Sequence, residues 1–101
     1  MTYKLKFLPS ARKDWDKLDN SIKQPLIKAL NKRLDNPIVS KDRLHGTHGK
    51  ECYKIKLRSQ GIRLVYAVER DIVTLIIIGV GKRENDDIYN ELQEQLKKGN
   101  I

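Results

Sequence analysis

Cys52-Tyr53-Lys54-Ile55-Lys56-Leu57-Arg58, followed by Ser59-Gln60-Gly61 and then Ile62-Arg63-Leu64-Val65-Tyr66-Ala67-Val68, is the stretch whose reading decides the fold. Its first run alternates apolar and cationic residues at the period of a strand, and its second is apolar or Tyr except at Arg63. The Ser-Gln-Gly between them is a turn, so the two runs form a β-hairpin. Strand alternation puts Tyr53, Ile55 and Leu57 on one face and Lys54, Lys56 and Arg58 on the other. A loop at Ser59-Gln60 sets Lys56 opposite Arg63, whereas a loop at Gln60-Gly61 sets Arg58 there. Either register collects cations on one face, at a cost of roughly a few tenths of a kcal/mol per facing pair. An anion between them relieves that repulsion, and phosphate is the natural guest.

Downstream of the hairpin, Glu69-Arg70-Asp71 reads as a turn. Residues 72–80 are β-branched almost throughout, which predicts a central strand buried on both faces and ended by Gly79 and Gly81. Ile88, Leu92 and Leu96 then recur at four-residue spacing, with Lys97-Lys98 at the end, as in a terminal helix whose charges suit its dipole. Upstream, residues 36–50 are polar and aperiodic, the pattern of a surface loop. Before it, Ile22, Leu26, Leu30 and Leu34 mark an amphipathic helix, for which Ser21 and Gln24 resemble a capping box. Leu8, Ala11, Trp15 and Leu18 mark a shorter helix with Pro9 in its first turn, and Trp15 belongs to its core stripe. Tyr3-Lys4-Leu5-Lys6-Phe7 alternates like a strand with one buried and one wet face. The expected order is β-α-α-β-β-β-α: an α+β domain with a mainly antiparallel sheet and helices packed against it, on one side.

At 101 residues the chain suits a single domain, 1–101, able to bury about two-thirds of its unfolded surface. Its 21 Lys and Arg against 13 Asp and Glu give a formal charge of +8, which favours polyanionic partners, nucleic acid first. The cations are spread over every element rather than along one amphipathic helix, which argues against a membrane surface. Cys52 is the sole cysteine, so no internal disulfide forms. Cations interrupt each apolar run near the start, so no signal-peptide pattern develops. The expected location is the cytoplasm.

Candidate chemistry concentrates in the C-terminal half. Lys54, Lys56 and Arg58 admit a plain reading as a solvated face. Arg63, alone among apolar neighbours, needs a partner, which would be Glu69 or Glu51 if its role were purely structural. Lys82 and Arg83 follow the central strand where the chain turns toward a helix, a place that often presents functional side chains. Gly79-Val80-Gly81-Lys82 lacks the spacer and the following Ser or Thr of a phosphate-binding P-loop. Tyr89 adjoins the Ile88 seam and is equally compatible with packing. His45, His48 and Cys52 offer metal-type side chains without a fourth ligand, and Asp86-Asp87 suits a helix dipole, so no metal or cofactor is expected.

Cys52 to Ser59, Gly61-Ile62-Arg63-Leu64-Val65-Tyr66, Val80-Gly81-Lys82-Arg83-Glu84 and Tyr89 together resemble the RelE toxins of bacterial toxin-antitoxin pairs, within the wider RelE/ParE superfold. The resemblance covers the chain end to end. It implies a catalytic set at Lys54, Lys56, Arg63, Arg83 and Tyr89. It also implies cleavage of mRNA in the ribosomal A site, inhibition by a cognate RelB-like antitoxin, and repression of operator DNA by the pair. Phosphate contacts are expected from Lys54, Arg58, Lys82 and His45. The last stands in Leu44-His45-Gly46, where relatives commonly read Leu-Arg-Gly. Two rivals are a ParE-like gyrase inhibitor on the same fold and a non-catalytic basic module that binds RNA or an antitoxin. Both lack turnover on RNA.

Overall fold

A computed structural model of the chain describes residues 2–82 and 87–99. At its centre is β4 (Thr74–Lys82), flanked on one side by β1 (Lys4–Phe7) and on the other by β3 (Ile62–Glu69), with β2 (Glu51–Leu57) outermost. The sheet order is β1-β4-β3-β2. The β2/β3 and β3/β4 pairs are antiparallel and β1/β4 is parallel. A parallel neighbour needs a long crossover connection. Here α1 (Pro9–Asp16) and α2 (Asn20–Asp35) lie in the chain between β1 and the hairpin, and α3 (Asp87–Lys98) completes the predicted order.

Residues 74–80 are all buried, as a run without polar alternation requires. Such a strand needs cover on both faces, and the helices divide between them. Adjacent residues of β3 leave the sheet on opposite sides, so Arg63 and Tyr66 mark its two faces. Over the Tyr66 face lies α2, with Leu26 and Leu30 buried and Arg33 donating to the Tyr66 hydroxyl at 2.8 Å. Over the other lies α3, where a Cβ added at Gly79 would come within 3.4 Å of Ile88 Cγ1. The expectation that helices occupy one side is therefore corrected. So is the role of the glycines: β4 runs through Gly79 and Gly81 to Lys82, and Gly79 is where α3 approaches the backbone.

Three local expectations also change. Ser21 is inside α2, whose N-cap is Asp19 without a side-chain cap bond, and Pro25 is accommodated within the helix. Leu5 is 41% exposed, so β1 is a short edge strand rather than a half-buried one, while Phe7 packs against Trp15 with ring centroids 5.5 Å apart. The polar loop is pinned: a 3-10 turn at Ser40–Asp42 leads to an isolated bridge between Arg43 and Tyr53. The turn after β3 is a 3-10 turn at Arg70–Ile72, closed by Val73 at φ 48°, a backbone conformation that β-branched residues rarely adopt. Among the described residues no helix is long and apolar enough to cross a membrane.

Candidate catalytic cluster on the sheet

The hairpin register sets Lys56 opposite Arg63 and Lys54 opposite Val65, one of the two arrangements the sequence allowed. Lys54, Lys56 and Arg63 therefore leave the same face of the sheet. Gly81 stands opposite Arg63 on β4, and a Cβ added there would meet nothing within 4 Å, so the backbone beside the guanidinium is open. From above, α3 supplies Tyr89. Its hydroxyl accepts a hydrogen bond from Arg63 Nη1 at 3.0 Å, and its ring centroid lies 5.5 Å from the guanidinium carbon. The seating of α3 is fixed by Glu91, whose Oε1 accepts from Ser10 Oγ of α1 at 2.8 Å and from Gln95 Nε2 at 2.9 Å.

Arg63 does not take the structural partners that its sequence position suggested. Glu69 pairs with Lys50 at 3.6 Å, and Glu51 pairs with Arg70 at 2.6 Å and Arg43 at 3.7 Å. The Arg63 Nε is buried and has no hydrogen-bond partner among the described residues. A buried donor left in this way costs on the order of 1–3 kcal/mol, a deficit that a bound anion removes. Arg63 thus keeps its charge uncompensated by any carboxylate ion pair among the described residues.

Crowding of like charge acts most on Lys56. Its ammonium is held below the ordinary lysine range, chiefly by the hydrogen bond with Lys54, then by the charge of Lys54, by desolvation, and by Arg63 and Arg58. Lys56 is exposed and Lys54 half-buried, so the base candidate faces solvent while its neighbour is recessed. Glu51, on the same strand but remote in role, moves the opposite way: hydrogen bonding from Arg70 holds its carboxyl below the usual range, outweighing desolvation. Burial raises the Cys52 thiol to about 11, which makes it an unreactive core group.

The remaining predicted residues are less closely gathered. Arg58 is exposed in the turn after β2, where its charge reaches Lys56, and the two line one cleft against α2. Lys82 is exposed at the end of β4, beside a cleft of about 650 Å³ that it shares with Lys13 of α1 and Lys17 at the end of that helix. His45 is exposed in the loop whose Gly46 carbonyl accepts from Gln93 of α3, and among the described residues no hydrogen bond or ion pair joins it to the cluster. Arg83 lies outside the described residues. Sequence reasoning passed over Arg33, the centre of a buried network. Its Nη2 donates to Asp42 at 2.6 Å, and its Nη1 donates to Tyr66 Oη at 2.8 Å and to the Lys54 carbonyl at 3.4 Å. The one available signal was an arginine on the apolar seam side of an amphipathic helix.

A small mixed sheet with a cationic hairpin face, α2 on one side and a tyrosine-bearing helix on the other defines the RelE/ParE class of toxin folds. The family model described as "ParE toxin of type II toxin-antitoxin system, parDE" matches residues 5–87. This chain belongs to that family, on its RelE branch. It is 41% identical over 96 residues to the mRNA interferase toxin RelE of Escherichia coli K12, covering 95% of this chain and 99% of that protein. Among solved structures it resembles a double arginine-to-alanine variant of E. coli toxin RelE in the free state. That match has a TM-score of 0.85 and 40% identity, over 94% of this chain and 98% of the other. It also resembles the toxin chain in the intact E. coli RelBE toxin-antitoxin complex, with a TM-score of 0.77 and 42% identity over 82% and 99% of the two chains.

Proposed function

We propose that this chain is the toxin of a bacterial type II toxin-antitoxin pair and an endoribonuclease that cleaves mRNA in the ribosomal A site by metal-independent transesterification. The observation that carries the reading is Arg63. A half-buried guanidinium whose Nε has no partner among the described residues and whose Nη1 meets a neutral phenol, beside Lys54 and Lys56, is a receptor for phosphate. Similarity to a protein named an mRNA interferase supports the ribonuclease class, and similarity to a toxin chain held in a RelBE complex supports a RelB-like antitoxin as the inhibitor. Operator DNA, bound through the toxin-antitoxin complex, and a cytoplasmic location complete the reading.

Internal transesterification needs the 2′-oxygen deprotonated, the charge of the pentacovalent phosphate stabilised, and the 5′-oxygen protonated as it leaves. Lys56 is the base, because its neighbours lower the pH at which it loses its proton. Arg63 holds the non-bridging phosphate oxygens in a bidentate grip, and Lys54 adds a second charge. Arg83 stabilises the leaving oxygen electrostatically, since a guanidinium is a poor proton donor, and the 5′-oxygen takes its proton from solvent water. Tyr89 orients the Arg63 fork and presents its ring to a nucleotide base. An acid-base set this weak relies on the ribosome to align the substrate.

The test maps the 5′ ends produced on programmed ribosomes and on naked RNA by wild type, Arg83→Ala and Lys56→Ala. Cutting confined to ribosomes and lost in Arg83→Ala is expected, and undiminished cutting by that variant would remove it from the site. Lys56→Ala should slow cleavage while ribosome binding survives; equal loss of both makes Lys56 a docking residue. Inhibition of DNA gyrase without RNA cleavage would instead establish the ParE-like activity.

A further inference from the structure

Lys56 and Arg63 face each other across the β2/β3 ladder, and Lys54 leaves the same face two residues away. The three side chains differ in access. Lys56 is exposed, whereas Lys54 and Arg63 are half-buried, so the first meets solvent and the other two form a recessed cationic floor beside it. The Arg63 Nε is buried without a partner among the described residues, which leaves that floor a donor for an anion. Hydrogen bonding with Lys54, then like charge and desolvation, hold the Lys56 ammonium below the ordinary lysine range. A lysine set among other cations in this way is an activated nucleophile.

A nucleophile beside a phosphate receptor is matched by a molecule that carries a phosphate and an electrophilic carbon together. In an acyl phosphate, a single bridging oxygen separates the two. Phosphate seated on Arg63 and Lys54 brings the acyl carbon next to Lys56, the partner of Arg63 across the ladder. We propose that Lys56 is a site of acylation by acyl phosphates, with Arg63 and Lys54 as the docking point of the phosphate. The Lys56 lone pair attacks the acyl carbon, the N–C bond forms, and the C–O bond to phosphate breaks. The proton lost by the nitrogen is taken up by the departing inorganic phosphate. The amide product removes one positive charge from a crowded set, so the repulsion among Lys54, Arg58 and Arg63 falls. Cys52, the sole cysteine, does not compete for the acyl group, because it is fully buried and its thiol is raised to about 11. Acylation shares the phosphate receptor with the reading above, and its consequence, loss of the base that cleaves RNA, rests on that reading.

The experiment incubates the full-length protein with acetyl phosphate and follows acetylation of each lysine by peptide mass spectrometry. Lys4 and Lys6 are the internal reference. They lie on β1 at the opposite edge of the sheet, are exposed, and form no ion pair among the described residues. Lys56 should react faster than either by on the order of tenfold or more, and inorganic phosphate should reduce that excess. Acetic anhydride, which brings no phosphate, should show a smaller preference. Arg63→Ala should lose the preference for acetyl phosphate while the anhydride still reaches Lys56. The reference lysines sit in the same molecule and the phosphate competition is read on wild type, so the test does not hang on the fold of the variant. Lys56 reacting no faster than Lys4 and Lys6, or an excess untouched by phosphate, would overturn the proposal. Cleavage on programmed ribosomes separates it from the nuclease reading. Selective acetylation that abolishes cleavage supports both. Selective acetylation with cleavage intact supports the acylation site and removes Lys56 as the base, and selective acetylation of a wild type that never cleaves supports the site and removes the nuclease.

Discussion

Arg33 and Arg63 are posed almost alike. Each lies over a tyrosine ring, at 5.7 Å from Tyr66 and 5.5 Å from Tyr89, and each donates to that tyrosine's hydroxyl, at 2.8 Å and 3.0 Å. What separates them is the rest of the fork. Arg33 also reaches the Asp42 carboxylate and a main-chain carbonyl, and Tyr66 passes its own proton on to the Pro37 carbonyl at 2.8 Å. The network is closed on itself, and it ties α2, the polar loop and β3 together. Arg63 has a neutral partner and a buried Nε with none among the described residues. A saturated arginine holds a fold, while the unsaturated one is the group proposed to hold a phosphate.

The largest effect that would sharpen this contrast is expected from Arg63→Ala. Single-turnover cleavage on ribosomes should fall by about a hundredfold to a thousandfold, the range seen when one charge-stabilising donor is removed. Its melting transition should move little, because the substitution deletes an unpaired donor. A variant that unfolds while cleaving at the wild-type rate per folded molecule would break the contrast. Arg33→Met should behave in reverse: urea titration should show a loss of about 1–3 kcal/mol, since the half-buried Asp42 carboxylate and the Tyr66 hydroxyl lose their donor. The surviving folded fraction should cleave normally.

Next in size is the pH dependence. The Lys56 ammonium titrates below the ordinary lysine range in the folded protein. Repulsion within the cluster is therefore present at lower pH and is relieved as pH rises through that lowered value, while the free base appears and cleavage accelerates. Lys56→Arg, which keeps its proton, should abolish the rise while retaining ribosome binding; a persistent rise would assign the base elsewhere. The Glu51 carboxyl carries the opposite sign. Its pairing with Arg70 stabilises the fold above the unfolded carboxyl pKa, and this is lost as pH falls through the lowered folded value. Glu51→Gln should therefore flatten the acid limb of stability and leave the cleavage profile alone. The smallest effect is expected from Tyr89→Phe, which removes the hydroxyl that Arg63 Nη1 meets but keeps the ring: about a tenfold or smaller loss of cleavage, measured in single turnover. A loss as large as that of Arg63→Ala would make the phenol a reacting group.

The element order, the hairpin and the doubly buried strand were legible because each rests on local pattern, whereas the choice between two hairpin registers was left to the structure. Period-two alternation at residues 53–58, a turn signal at Gly61 and an unbroken apolar run leave few alternatives. Lys54, Lys56 and Arg63 were legible as a group for the same reason, since a hairpin brings its own strands together. Tyr89 was visible only through family resemblance, because its approach to Arg63 spans 26 positions of sequence and depends on how α3 settles over Gly79.

By itself, the sequence determined a basic α+β domain with a cationic hairpin face, because alternation, turn chemistry and charge are properties of neighbouring residues. Only the tertiary structure decided which charges are spent. It gave carboxylates to Arg33, Arg43 and Arg70 and none to Arg63 among the described residues, and it divided the helices between the two faces of the sheet. Whether a charge is neutralised depends on what long-range packing brings within about 4 Å, and no local pattern encodes that distance.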